Sequence, residues 1–179
     1  GMSATINRGD RQDKKMLMQL GPIRHRYTAK ERAQKQGIGH YIYPRFTRLV
    51  DLNQSEDRNP ADYYRLIMQS ELRNMQIVSD TIDCVKRGRT PVVMTKYKEH
   101  AQKLYDMLQG SADHVFLLQG GKSLKERAAI REDMAAVRAD ESIILVAIGQ
   151  YVGEGFNYPR LDTMLLAMPI SFEGNVEQH

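Results

Sequence analysis

The sequence predicts a three-layer α/β domain, in which a mostly parallel sheet is flanked by helices and preceded by an extended basic connector. Two observations carry this prediction. Short apolar runs alternate with helix-period segments from residue 90 onward, which is the pattern of a parallel sheet with right-handed crossovers. The runs at residues 143–148 and 164–168 are also almost purely apolar, as in strands that are buried on both faces.

The charge distribution separates a connector from a domain. Residues 1–50 carry 11 Lys and Arg against 3 Asp and Glu, whereas residues 51–179 carry 15 against 19. Pro44 lies inside a β-rich stretch at residues 40–52, which favours an edge strand or an extended crossing segment. The polar residues 53–59 mark the boundary, so we expect a connector over residues 1–52, with a tag remnant at Gly1, and a domain over residues 53–179. The basic segment suits either a polyanionic partner or a solvated connector.

Local signals place the helices. Asn59 and Pro60 form a helix start, and a short helix should follow over residues 61–69. A second helix over residues 71–87 has an apolar face at helical spacing and ends before Gly88; that face comprises Met75, Val78, Ile82 and Val85. Further helices are predicted at residues 96–109 and from the Ser123–Glu126 capping box onward.

Four apolar runs are the predicted strands, at residues 91–95, 114–118, 143–148 and 164–168. Because each of the first three is followed by a turn or a helix, their carboxyl ends should gather loops at one edge of the sheet. This edge is where ligands bind in α/β folds. We interpret Lys96, Lys98 and His100 as helical surface residues at that edge, either solvated or in contact with a polyanion.

Several function classes are excluded or disfavoured. A single cysteine, Cys84, excludes an intramolecular disulfide and fits a reducing compartment, so we expect a cytoplasmic protein. No apolar run approaches the length of a membrane span, and no membrane association is expected. The histidines lack metal-ligand spacing, and the acidic pair Asp140–Glu141 precedes a strand rather than following one, so no metal site is predicted. No complete catalytic constellation of nucleophile and base is present.

Two glycine-rich turns partly match known nucleotide-binding motifs. Gly120-Gly121-Lys122-Ser123 ends in the GKS of a P-loop, but Phe116 stands where the first glycine is required. That turn suits a single phosphate, as in nucleic acid, or an ordinary strand–helix turn. The loop 149–159 contains Gly153-x-Gly155, but Tyr158 replaces the third glycine of a dinucleotide fingerprint. The loop has ligand-binding character without a nucleophile of its own, and such a domain can supply half of a site.

The C-terminal segment carries a family resemblance. Residues 143–169, IILVAIGQYVGEGFNYPRLDTMLLAMP, followed by GNVEQ, resemble motif V of superfamily 2 helicases running into motif VI. The restriction-enzyme and excision-repair types of DNA helicase are the most similar. Residues 92–100 resemble the motif IV strand and helix, residues 118–127 resemble the next strand, glycine turn and helix, and Ser3-Ala4-Thr5 resembles motif III. The chain is thus identified as the second, C-terminal RecA-like domain of such a helicase.

The resemblance implies a role for each residue class. ATP would be contacted by Glu154, Gly155, Asn157 and Gln178, and Mg²⁺ would be bound by the first RecA-like domain, which is the expected partner. DNA would be contacted by Thr95, Lys96, Gly120, Gly121 and Gly149. The whole helicase would hydrolyse ATP. Motifs I and II and the motif VI arginines are not in this sequence, so we expect a fragment that is inactive alone.

Two positions depart from the family pattern. Asn157 stands where the family usually has Asp, and Ile148 stands where a strand-ending Thr touches a phosphate, so we expect weakened contacts at both. Two other functions remain open. One is a stand-alone nucleic-acid-binding module without motor activity. The other is an unrelated α/β enzyme that holds a phosphorylated small molecule at the turn formed by residues 120–123.

Overall fold

The computed structural model describes residues 18, 39, 41–47, 59–120, 124–149 and 158–169. The chain separates into two compact units, Gly1–Phe46 with Ile170–His179, and Thr47–Pro169. In the first unit, the described residues 41–46 have no regular secondary structure and are exposed. All the elements that follow belong to the second unit. The predicted connector boundary, between residues 52 and 53, lies outside the described residues.

The described residues of the second unit form eight elements, and their bounds agree closely with those predicted. They are α1 (Pro60–Gln69), α2 (Glu71–Lys86), β1 (Pro91–Thr95), α3 (Lys98–Leu108), β2 (His114–Leu118), α4 (Leu124–Ala136), β3 (Ile143–Ile148) and β4 (Thr163–Leu166). The Asn59 side chain accepts a hydrogen bond of 2.7 Å from the Ala61 amide and so caps α1. Gly88 adopts a φ of +73° after α2, which is the left-handed conformation typical of a helix C-cap.

The four strands form one parallel sheet in the order β2-β3-β1-β4. Helices α2 and α3 cover one face of the sheet, where Val93, Leu104 and Val146 belong to the core. Helix α4 covers the other face, where Met134 packs among Met94 and Leu145. This is the predicted three-layer α/β architecture with a parallel sheet.

Strand β4 differs from the prediction of a strand buried on both faces. Its residues alternate between half-buried and exposed, and Met164 and Leu166 are exposed. The reason is position: β4 is an edge strand that pairs with β1 alone among the described strands. An apolar run cannot by itself distinguish an edge strand from a central one.

The predicted apolar stripe of α2 is confirmed for Val78, Ile82 and Val85, which pack against the core, but not for Met75. Met75 is half exposed, while Asn74, Ile77 and Thr81 are buried. The Thr81 hydroxyl donates to the Ile77 carbonyl at 2.7 Å, which satisfies it within the helix. The predicted stripe omitted Asn74 and Thr81 because they are polar, so it missed two of the three buried residues of the helix.

Candidate nucleic-acid interface at the carboxyl edge of the sheet

Several predicted nucleic-acid-binding residues lie along one edge of the sheet. Thr95 ends β1, with Lys96 directly after it, and Gly120 and Gly149 follow β2 and β3. Because the strands are parallel and adjacent, their carboxyl ends meet there, and Thr95 pairs in register with Ile148. Gly121 lies outside the described residues. Ile148 is buried in the core beside Thr95.

Beneath this edge lies a buried chain of hydrogen bonds that links β1 to α2. The Thr95 hydroxyl lies 2.8 Å from His100 Nδ1, and His100 Nε2 lies 3.0 Å from Asn74 Oδ1. Asn74 Nδ2 in turn donates to the Met68 carbonyl at 2.8 Å. Thr95, His100 and Asn74 are each at most 5% exposed. Buried polar groups that are all paired in this way make a single, well-defined arrangement.

The hydrogen bond between Asn74 and the Met68 carbonyl decides which atom donates in each of the other two hydrogen bonds. Only the Asn74 amide nitrogen can donate to the Met68 carbonyl, so Asn74 Oδ1 faces the imidazole as an acceptor. His100 must therefore carry its proton on Nε2, and Nδ1 accepts from the Thr95 hydroxyl. Burial, together with the positive charges of Arg73 and Lys103, lowers the pKa of His100 from 6.5 to about 4. The imidazole is accordingly neutral at pH 7.

This arrangement corrects the interpretation of His100 as a helical surface residue. His100 is 2% exposed and faces the core on α3. The sequence contained a signal for this, because His100, Leu104 and Leu108 recur at intervals of four and so share one helix face. Lys96 is not helical either, since it lies in a bend before α3 begins at Lys98.

The buried chain also determines what Thr95 can offer a ligand. Its hydroxyl hydrogen is used toward His100 Nδ1, so the oxygen is left as an acceptor only. A phosphate oxygen needs a donor, and in this arrangement Thr95 could supply one only through its backbone. The contact between Thr95 and DNA stays a prediction.

Lys96 lies among aromatic rings at the same edge. Its ammonium nitrogen is 4.5 Å from the centroid of the Tyr64 ring and 5.7 Å from that of Tyr97. The two tyrosine rings are themselves 5.9 Å apart and tilted by 54°. The sequence analysis singled out Lys96 but neither tyrosine. Tyr64 lies 32 residues before Lys96 along the chain, so the sequence gives no sign that the two side chains meet.

Beside this edge, an open cavity of about 560 Å³ lies along α3. Gln119, directly after β2, lines the cavity together with Lys98 and Lys103. The Gln119 side-chain oxygen is buried, and it has no hydrogen-bond partner among the described residues. The same holds for one guanidinium nitrogen of Arg73, and burial lowers the Arg73 pKa. Both unpaired atoms are buried, and the cavity lining carries acidic as well as basic side chains.

The predicted ATP contacts Glu154, Gly155, Asn157 and Gln178 lie outside the described residues. The residues that follow the loop are anchored at the opposite end of the sheet. The Tyr158 hydroxyl donates to the Met134 carbonyl at 2.8 Å. The Arg160 guanidinium donates to four carbonyls in the turn between α4 and β3, at 2.6–3.5 Å; these belong to Val137, Arg138, Ala139 and Glu141.

Asp162 completes this anchor. Its Oδ1 accepts from the Thr90 amide at 3.0 Å, and its Oδ2 lies 3.4 Å from the Arg89 guanidinium. The carboxylate thereby ties the turn before β1 to the start of β4. Leu161 and Asp162 matched the family motif by sequence, and their contacts here are structural.

The acidic pair before β3 is likewise occupied by local contacts. Glu141 accepts from the Arg138 amide at 3.0 Å, and it lies 3.3 Å from His114 Nε2. The Arg138 amide is the main cause of the lowered pKa of Glu141. Asp140 lies 3.6 Å from the Arg138 guanidinium. Within the part of the chain that the structure describes, no group of three metal-binding side chains is found.

Comparison with solved structures gives a match to T4 UvsW, a superfamily 2 DNA helicase, with a TM-score of 0.55 and 17% sequence identity. The match covers 68% of this chain and 25% of the UvsW chain. The described domain therefore shares its fold with the matched part of the UvsW chain. This supports the RecA-like fold predicted from the sequence motifs. Family models and curated protein sequences gave no match. None of the described helices is long and apolar enough to cross a membrane.

Proposed function

We propose that this chain is the second motor domain of an ATP-dependent DNA helicase or translocase of the cytoplasm. It would supply half of an ATP cleft and part of the nucleic-acid track, and it would be inactive alone. One observation carries the proposal: Lys96, Gly120 and Gly149 lie at the carboxyl ends of three adjacent strands, in a domain with a helicase-like fold. That edge is where parallel α/β sheets bind ligands.

The electrostatics of the edge suit a phosphate backbone. Lys96 is exposed, and among the described residues no carboxylate lies within 4.0 Å of its ammonium group. Helix α3 begins two residues later, so its N-terminal amides and the positive end of its dipole lie near the same edge. A lysine and helix amides grip phosphates without reading base sequence.

The nucleotide side of the proposal rests on the motif resemblance. Glu154, Gly155, Asn157 and Gln178 would face ATP across a cleft whose other wall, with Mg²⁺, belongs to the first RecA-like domain. Asn157 can bond a ribose hydroxyl but lacks the charge of the usual Asp. In this chain, therefore, the nucleotide contact should be weaker than in a family member with Asp.

Two measurements test the proposal. Equilibrium binding of a fluorescein-labelled oligothymidylate should weaken in Lys96→Ala, and the dependence of log K on log salt should become shallower by about 0.7 for each lost phosphate contact. Lys86→Ala is the matched control, because Lys86 is exposed at the C-terminal end of α2 and its substitution removes the same charge. Equal losses in both variants would contradict a track at the β1 end.

ATP hydrolysis is the second measurement. This chain should show no DNA-stimulated turnover by itself, because the motif resemblance assigns the Mg²⁺ site to a different domain. Turnover that rises with added single-stranded DNA would overturn the half-site proposal. DNA binding of nanomolar affinity by this chain, unchanged when a first RecA-like domain is added, would favour the stand-alone binding module instead.

A further inference from the structure

The tyrosines around Lys96 form a mixed aromatic and cationic surface. Tyr64 comes from the middle of α1, whereas Lys96 and Tyr97 come from the link between β1 and α3. The lysine ammonium lies 4.5 Å from one ring centroid and 5.7 Å from the other. We call Tyr64, Lys96 and Tyr97 the tyrosine–lysine patch.

The patch is accessible to a ligand. Lys96 is exposed, and both tyrosines keep part of their surface in solvent. Two other surface cations of the described residues are engaged by carboxylates: Lys103 by Glu71, and Arg89 by Asp162. Among the described residues, the Lys96 ammonium instead lies against two aromatic rings and has no carboxylate within 4.0 Å, so its hydrogen-bond donors can face an anion.

The buried hydrogen-bond chain fixes the geometry of the patch. Asn74 holds the Met68 carbonyl, one turn beyond Tyr64 on α1, and His100 connects Asn74 to Thr95, which precedes Lys96. Tyr64 and Lys96 are thus attached to the two ends of one buried polar chain. A surface whose supports are locked in this way loses little conformational entropy when it binds a ligand.

We propose that the tyrosine–lysine patch binds single-stranded nucleic acid, with Lys96 on a phosphate and the tyrosine rings stacked on a base. The inference rests on the proposed function for the presence of nucleic acid at this edge, and it adds a base contact to a track otherwise made of phosphate contacts. Aromatic rings interleaved with cations are the combination that grips single strands, since every base offers a π-face. The ring contacts also predict little preference among bases.

Binding to two oligomers of equal length and charge tests the base contact. One probe is an oligothymidylate, and the other is the same backbone with abasic sites. Tyr64→Leu should weaken oligothymidylate binding about tenfold and leave binding of the abasic oligomer unchanged, because stacking is the interaction removed. Tyr64→Phe keeps the aromatic ring and should bind both probes as the unsubstituted chain does. Lys96→Gln should weaken both.

A fluorescent reporter gives a second readout that does not depend on affinity. The chain contains no tryptophan, so Tyr64→Trp introduces a single one at the patch. Oligothymidylate should quench its emission, whereas the abasic oligomer should not. Tyr63→Trp is the matched control on the same helix, and its emission should respond equally to the two probes.

The outcomes separate this inference from the function on which it rests. If the chain binds oligothymidylate through Lys96 and neither Tyr64→Leu nor the reporter distinguishes the two probes, the base contact is wrong and the track survives. If the chain binds neither probe, both proposals fail. If an acidic peptide displaces oligothymidylate and quenches the Tyr64→Trp emission equally well, the patch recognises acidic protein, and the nucleic-acid proposal is overturned. Circular dichroism melting of each variant confirms that it is folded.

Discussion

Replacing His100 by Phe tests the buried hydrogen-bond chain most directly. An aromatic ring still fills the site, but both ring nitrogens are lost. The Thr95 hydroxyl therefore loses its acceptor, and Asn74 Oδ1 loses its donor. Each of these two buried polar atoms, left unpaired, costs about 1–3 kcal/mol, so the free energy of unfolding at pH 7.5 should fall by about 2–6 kcal/mol. Urea unfolding followed by circular dichroism measures this loss.

The pH dependence supplies a sharper signature. The His100 pKa is about 4 in the folded protein and 6.5 ordinarily, so between these values the unfolded chain binds a proton that the native state does not. The contribution of neutral His100 to the free energy of unfolding is therefore fully present above pH 6.5. It falls as the pH drops and is fully lost below pH 4. Integrating this linkage between pH 7.5 and pH 5 gives a loss of about 2 kcal/mol. His100→Phe should lack that part of the acid sensitivity.

Two controls test this reasoning: a double variant, and the pH range in which the carboxylates of Asp113 and Glu141 titrate. Thr95→Val added to His100→Phe removes the stranded hydroxyl, so about 1–2 kcal/mol should be recovered. The lowered pKa values of Asp113 and Glu141 contribute stability that is lost only at more acidic pH, below their ordinary values of 3.8 and 4.5. If His100→Phe lost stability between pH 7.5 and pH 5 as steeply as the unsubstituted chain, the neutral, buried imidazole would be refuted.

Three further predictions concern the rest of the domain. Arg160→Ala should lower the free energy of unfolding by about 2 kcal/mol, since it removes a charged donor from four carbonyls, and Arg160→Lys should recover only part of this; thermal melting checks both. Asp162→Asn should cost less than about 1 kcal/mol because an amide oxygen still accepts from Thr90, whereas Asp162→Ala should cost more, and equal melting points would contradict that order. The Cys84 thiol should react with iodoacetamide more slowly than it does in the urea-unfolded chain, because burial, followed by the charge of Asp80, raises its pKa; an equal rate would show that burial does not protect it.

Most of the fold could be predicted from sequence because its signals are local. The bounds of β1, β2 and β3 matched the apolar runs, and the start of α1 followed from Asn59 and Pro60. Strands buried on both faces in the middle of a sheet leave continuous apolar runs, and capping residues act within a single turn. The carboxyl-edge location of Lys96, Gly120 and Gly149 follows from the same local pattern once the strands are parallel.

Which polar residues belong to the core depends on contacts between elements that are distant in the sequence. His100 and Asn74 are buried because each satisfies the other across two helices, and a pattern of apolar residues does not register such pairs. The exposure of Met164 depends on the edge position of β4, which is a property of strand order. The approach of Tyr64 to Lys96 depends on the packing of α1 against α2 and on the hydrogen bonds that connect Met68 through Asn74 and His100 to Thr95. Local patterns along the chain were enough to predict the elements and the family resemblance, whereas contacts between residues distant in the chain arranged the candidate interface.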